Sequence, residues 1–247
     1  PCAFMQGMQI LSIPYEGENF QFPFDLILKT LSAKRTQLLF ICNPNNPTGT
    51  RLAPEKIYDL AASSPDTLVV VDELYEAFTG DSVLPGIDFS AFPNILVLRS
   101  LAKTAGLAGL RIGFAIGSAK VVDLITRVTG PYDVNSFAVT AAFAALEDQP
   151  YIDSYVADVL EARDWIKEKL LTSGVNHQLD GGNYFLIWPN YSSSYIAHAL
   201  REKGILVREM SSQSLIAGSL RVSIGTIEQM KEFWKVYSSV EDFKKSM

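Results

Sequence analysis

Cysteine and histidine are nearly missing from this chain of 247 residues, with two of each. Cys2 and Cys42 cannot form a disulfide framework, so a reduced, cytoplasmic setting is expected. His177 and His198, the only histidines, leave no Cys/His zinc constellation, and no metal site is expected. Clustered positive charge is missing too. The 21 basic and 27 acidic residues give a net charge of −6, and without a Lys/Arg patch neither nucleic acid nor an anionic membrane is an expected partner. The most apolar helical stretch, Phe137 to Leu146, is far too short to span a bilayer and reads as core. The chain opens Pro1-Cys2-Ala3-Phe4, without an initiator Met, a basic n-region or a secretory signature. An interior starting point in a longer protein is the expectation.

With 48% hydrophobic and 19% charged residues, the composition is that of an ordinary globular protein of one large or two modest domains. Short runs of Val, Ile and Leu alternate with longer amphipathic segments, the pattern of a mostly parallel sheet covered by helices. Strands are predicted at Gln9 to Ile13, Leu38 to Cys42, Thr67 to Val71, Ile95 to Leu98 and Ile112 to Ile116. Helices are predicted at Pro23 to Ala33, Pro54 to Ala62 and Ala119 to Val128, two of them opening on Pro.

After Gly130-Pro131 come two long helical segments, Ser136 to Glu147 and Tyr151 to Ser173, the second stopped by Gly174. A separate alternation follows, with strands at Tyr184 to Trp188, Ile205 to Val207 and Leu220 to Ile224, and helices at Ser192 to Lys203 and Ile227 to Phe243. A boundary near Gln149-Pro150 is predicted to divide an α/β, mostly parallel doubly wound domain (1–150) from a smaller C-terminal α/β domain (151–247).

Ligands of open α/β sheets sit beyond the carboxyl ends of the strands, and three predicted strands end in polar chemistry. Asn43-Pro44-Asn45-Asn46-Pro47-Thr48-Gly49 is a loop made rigid by two X-Pro bonds, able to hold an Asn side chain at the sheet's mouth; taken alone, an Asn-Pro pair reads rather as a tight turn. The next strand delivers Asp72, followed by Tyr75. A carboxylate there is costly to desolvate, so a partner for Asp72 is expected. The third segment runs from Arg99 through Ser100, Lys103, Gly106, Gly109 and Arg111 to Gly113, combining close backbone approach with a hydroxyl, an amine and a guanidinium suited to an anion. Its glycine spacing is not that of a dinucleotide-binding loop.

These three motifs, in this order and spacing, resemble the fold type I aminotransferases, and among them most closely the histidinol-phosphate aminotransferases. The likeness extends through Pro131 to Ser136, Gly204 to Arg208 and Leu220 to Thr226, and so over essentially the whole chain. It implies pyridoxal 5'-phosphate as cofactor, with Lys103 forming the Schiff base and carrying the proton between substrate and cofactor, and with Arg111 as a neighbouring cation. Asp72 would pair with the pyridine nitrogen, and Asn46 and Tyr75 with the ring's phenolic oxygen. Ser100 and Arg111 would bind the phosphate. Arg221 would grip the substrate's anionic group, with Arg208 beside it for a substrate phosphate and Asn183 also facing the substrate.

The resemblance further implies an amino donor and a 2-oxo acid as substrates, and a homodimer with active sites at its interface. Two departures stand out: Ala102 replaces the hydroxyl residue before the lysine, and Asp133 stands where many relatives have Asn. The family's N-terminal arm, its small-residue phosphate loop and its ring-stacking aromatic would lie ahead of Pro1, so this is a piece of a longer protein or a degenerate relative. Other readings are a decarboxylase of a phosphorylated amino acid, resembling the threonine-phosphate decarboxylases, and a cofactor-dead binding domain.

Overall fold

The computed structural model describes residues 2–33 and 35–243. Pro1, Lys34 and residues 244–247 lie outside them, and so do the ends of the two expected domains.

The first sheet has the order β1 (Leu38–Cys42), β2 (Leu68–Asp72), β3 (Ile95–Arg99) and β4 (Phe114–Gly117). The first three strands are parallel and β4 returns antiparallel to β3. A short helix α1 (Cys2–Met5), unanticipated, opens the chain, followed by α2 (Phe24–Ala33) and α3 (Pro54–Ser63). Pro54 in the first turn of α3 costs no hydrogen bond, because that N–H has no intrahelical partner. Ile57, Leu60 and Ala61, spaced on one helical face, are buried against Ile41, Val69, Val71, Ile95 and Val97 of the strands.

Helices α4 (Ala119–Thr126), α5 (Ser136–Glu147) and α6 (Gln149–Thr172) follow. Side-chain caps start the last two: Asn135 accepts from the Ala138 N–H, and Asp148 from the Tyr151 N–H. Gln149-Pro150, where the boundary is predicted, forms the first turn of α6. That helix also ties the two halves together. Its Ile152 packs with Leu101 and Ala142, while Val159, Ala162, Ile166 and Leu170 join the core of the second sheet, which also takes in Tyr75 and Phe78.

The second sheet is antiparallel throughout, in the order β5 (Asn176–Gln178), β6 (Tyr184–Trp188), β8 (Leu220–Ser223), β7 (Arg208–Glu209). It is flanked by α7 (Ser193–Glu202) and α8 (Ile227–Phe243). The strand expected at Ile205 to Val207 begins later, at Arg208. Ile205 is consumed in ending α7: its N–H donates to the Leu200 carbonyl and that of Gly204, at φ 82°, to the Arg201 carbonyl, a closure only glycine adopts without strain. Gly174, at φ 64°, ends α6 in the same way, as the sequence predicts.

Two further expectations are corrected. Gln9 to Ile13 forms no strand, because no described strand runs beside it to complete a ladder. Helix α5 is core only along Ala138 and Ala142; Phe137 and Phe143 are exposed, since no described element covers that face. No described helix is long and apolar enough to cross a membrane.

Candidate active site

The ends of β1 and β2 stand side by side, with Cys42 in register with Asp72. The loop after β1 is braced internally. Asn43 is buried and imitates a strand neighbour, its amide donating to the Leu52 carbonyl and its Oδ1 accepting from the Leu52 N–H, both at 2.9 Å. Asn45 donates to the Thr48 hydroxyl at 2.7 Å. Both X-Pro bonds of the loop are cis. Asn46 Nδ2 in turn donates to the Tyr75 hydroxyl at 3.0 Å.

On the other side of Asn46 lies β8. Arg221 Nη1 donates to Asn46 Oδ1 at 3.0 Å, and its guanidinium lies 5.9 Å from the centre of the Tyr184 ring. Tyr184 in turn donates from its hydroxyl to the Asn45 carbonyl at 2.7 Å and meets Tyr75 edge to face at 4.9 Å. Arg221 Nε is buried with no acceptor among the described residues. A buried charged donor without a partner is costly.

Lys103 completes the group from the loop after β3, with Nζ 5.6 Å from the centre of the Tyr75 ring. Asp72 accepts only the Leu74 N–H, at 3.1 Å, and no Lys or Arg pairs with it among the described residues. The partner expected for this carboxylate is thus not supplied by the described protein. Burial raises its pKa above the ordinary carboxylate range, against the pull of that backbone bond. Burial likewise raises Tyr75, opposed by the nearby Arg221 charge, and pushes the Cys42 thiol up to about 11.

The remaining predicted residues are less assembled. Arg208 is exposed but lies directly opposite Arg221 in the β7–β8 ladder, so both side chains leave the same face. Asn183 enters the ladder by its carbonyl, which accepts from the Ile224 N–H at 2.8 Å. Ser100 is turned into its own loop, donating to the Ile112 carbonyl and accepting from the Ala102 N–H. Arg111, exposed and at φ 57°, donates to the Ala108 carbonyl.

Asp133 caps its own turn, accepting the Gly130 N–H at 2.7 Å. Among the described residues no group of three or more His, Cys, Asp or Glu could hold a metal ion.

A family model described as aminotransferase class I and II matches residues 2–236. The chain belongs to this family. Among curated class I and II aminotransferases, it is 33% identical over 229 residues to the histidinol-phosphate aminotransferase of Ruminiclostridium cellulolyticum, covering 92% of this chain and 63% of that protein. It is 38% identical to histidinol-phosphate aminotransferase 1 of Pseudomonas fluorescens, covering 91% and 63%. The chain therefore spans 63% of the length of these relatives. The crystal structure of the Sinorhizobium meliloti histidinol-phosphate aminotransferase in complex with pyridoxal-5'-phosphate superposes with a TM-score of 0.83 at 23% identity, over 99% of this chain and 66% of that one. It shares the aminotransferase fold.

Three residues that touch or underlie these side chains escaped the sequence reading. Tyr184 reads as one apolar position in a buried strand, and Cys42 as the last residue of another. Glu73 is wholly buried beneath the site and accepts from Arg99 Nε at 2.9 Å, from the Ser82 hydroxyl at 2.9 Å and from the Val83 N–H at 2.8 Å. Arg99 also reaches Glu76. The only signal was the placement of Glu73 and Arg99 at the ends of neighbouring strands.

Proposed function

We propose that this chain carries the catalytic part of a pyridoxal-phosphate-dependent enzyme that moves an amino group between an amino acid or amino alcohol phosphate and a 2-oxo acid. The observation that supports it best is Arg221, whose buried Nε lacks an acceptor while Nη1 is tied to Asn46 and so to Tyr75. Like charges opposite one another in a ladder repel, and the pairing of Arg208 with Arg221 favours a substrate with two anionic groups, as in a phosphorylated amino compound.

The residues fit the cofactor at its ring end. When bound, pyridoxal phosphate supplies an electron sink for the charge left as a proton leaves the substrate's Cα. Asp72, without a cation of its own, would hold the ring's N–H. Tyr75 and Asn46 would donate to the ring oxygen. Lys103 would hold the cofactor's reactive carbon, and its amine would carry the proton between the substrate's Cα and that carbon. Ser100 and Arg111 would bind the phosphate once the loop opens toward it. Arg221 would orient the substrate through its anionic group, Arg208 would take the second anion, and Asn183 would sit beside them.

On this reading residues 1–150 hold the cofactor and residues 151–247 close over the substrate, in a cytoplasmic homodimer. The test is to mix the protein with pyridoxal phosphate, histidinol phosphate and a 2-oxo acid, and to follow formation of the amino acid product alongside the cofactor's absorbance. Consumption of the 2-oxo acid is expected. Carbon dioxide release without it would assign a decarboxylase, and no spectral change with any amino donor would reject both. Arg208→Gln is expected to weaken phosphorylated donors selectively.

A further inference from the structure

Tyr184 is tied to more of the site than packing requires. It lies on β6 in register with Ser223 of β8, which puts Arg221 two positions along β8 on the same face of the sheet. The residue is 2% exposed, and its ring meets that of Tyr75 edge to face at 4.9 Å. The Arg221 guanidinium lies 5.9 Å from the centre of the Tyr184 ring, and Lys103 Nζ lies 5.6 Å from the centre of the Tyr75 ring. Lys103, Tyr75, Tyr184 and Arg221 thus form one series of neighbours, with a cation on an aromatic ring at each end.

The hydroxyl is the informative group. It donates to the Asn45 carbonyl at 2.7 Å, and that carbonyl already accepts the Gly49 N–H at 2.7 Å. Phenylalanine in place of Tyr184 would therefore leave the carbonyl paired, so the fold's polar groups do not call for this hydroxyl. What it does is attach the ring to the residue next to Asn46, whose Oδ1 accepts the bond from Arg221. Both supports of the arginine, the hydrogen bond and the ring, converge on one dipeptide of the loop after β1. Burial raises the pKa of this phenol above the ordinary tyrosine range, so it keeps the proton it donates. The backbone ahead of β6 is shaped around the same ring. A Cβ at Gly182, whose φ is 87°, would lie 2.5 Å from Tyr184 Cε1, so only glycine leaves the ring where it is.

We infer that Tyr184 is a positioning residue that sets the spacing between Lys103 and Arg221, and so between the reacting carbon of an amino donor and the anionic group that anchors it. Its ring spaces the two cations through Tyr75, and its hydroxyl locks that spacing to Asn45 and Asn46. The inference rests on the reading of Arg221 as the residue that binds the donor's anion.

The test compares Tyr184→Phe with Tyr184→Leu. Turnover of histidinol phosphate with a 2-oxo acid is measured in the cofactor-loaded protein, and binding of histidinol phosphate to the protein without cofactor is measured by calorimetry. Tyr184→Phe keeps the ring but frees it from the loop. KM for histidinol phosphate should rise roughly two- to tenfold, as the loss of one neutral hydrogen bond implies, with kcat within about twofold of the parent's. The calorimetric affinity should weaken by the same factor, and the melting temperature should match the parent's. Tyr184→Leu removes the spacer as well, so kcat should also fall by about tenfold to a hundredfold, the loss that a misplacement of about 1 Å brings. If the leucine variant fails to fold, the phenylalanine variant decides alone. Parental KM and affinity in Tyr184→Phe would overturn the inference, as would a lowered melting temperature with affinity unchanged, the mark of a residue that only packs. Weakened binding in Tyr184→Phe, with no turnover in the parent, would sink the proposed amino transfer and leave this inference standing.

Discussion

Arg221 and Asn46 are 175 positions apart in the chain, yet the guanidinium of one donates to the side-chain carbonyl of the other at 3.0 Å. The amide of Asn46 continues the chain to the Tyr75 hydroxyl. A single Asn therefore joins the group that would bind the substrate's anion to a group that would touch the cofactor ring. Asn46→Ala should unlink them. Hydrogen bonds to charged groups contribute about 1.5–3 kcal/mol, so kcat/KM should fall by a factor on the order of 10 to 100, with KM rising because Arg221 loses its orientation. A KM unchanged within error would show that Arg221 is held by something else.

The same arginine separates function from stability. Its Nε is buried with no acceptor among the described residues, and an unsatisfied buried donor costs about 1–3 kcal/mol. Arg221→Met keeps the aliphatic stem and removes that cost. Thermal unfolding without substrate should be unchanged or shifted upward, while binding of an anionic amino donor is lost. A large drop in melting temperature would mean that the arginine is structural.

Much of this arrangement could be read before the fold was known, and the reason is local. Tyr184 to Trp188 is buried on both faces, so its sequence is an unbroken apolar run, and the strand begins and ends where that run does. Asn46, Asp72, Tyr75 and Lys103 follow such strands directly, and strand ends gather at one side of a parallel sheet. What could not be read depends on partners distant in sequence. Tyr184 looks like any buried aromatic until its hydroxyl is seen on the Asn45 carbonyl. Gln9 to Ile13 has the pattern of a strand, but a strand also needs a neighbour. Arg111 is exposed and takes a left-handed φ of 57°, which residue type alone does not reveal.

Asp72 gives a pH-dependent prediction. Burial raises its carboxyl above the usual range, so the folded protein binds this proton more readily than the unfolded chain does. The group's contribution to stability is thus fully present below the ordinary Asp pKa of about 3.9 and is lost as pH rises through the folded value. Asp72→Asn cannot ionise and escapes that loss. It should unfold at a higher temperature than the parent near neutrality, with the difference vanishing in acid. The same variant should lose cofactor-dependent turnover, because a neutral amide cannot hold a protonated ring nitrogen. Melting curves from acid to neutral pH, taken without cofactor, decide the first part.

Lys103 can be tested against its own ring contact. Its Nζ lies over Tyr75 at 5.6 Å from the ring centre, an attraction worth about 0.5–1 kcal/mol when exposed. Lys103→Ala should therefore change stability little. Its turnover should drop by at least the 10²- to 10⁴-fold that a positioned acid–base group typically contributes, and borohydride should no longer trap cofactor on the protein. Trapping that survives in the variant would move the attachment point to another lysine.

Gly181 tests how the two sheets are locked together. Its N–H donates to the Gly49 carbonyl at 2.8 Å, joining the loop after β1 to the turn before β6. A Cβ at Gly181 would lie 2.6 Å from Pro44 Cβ and 2.8 Å from the Gly49 carbonyl oxygen. Neither neighbour can yield, since one is a proline ring in a loop braced by Asn43 and the other is backbone. Overpacking of this kind costs about 1–3 kcal/mol. Gly181→Ala should lower stability by that amount and also displace the Asn43 to Gly49 loop, so that Asn46 no longer reaches Arg221. Gly80, with no atom within 4 Å of its would-be Cβ but φ at 76°, is the control: alanine there strains only the backbone. It should cost some stability, yet leave substrate KM unchanged.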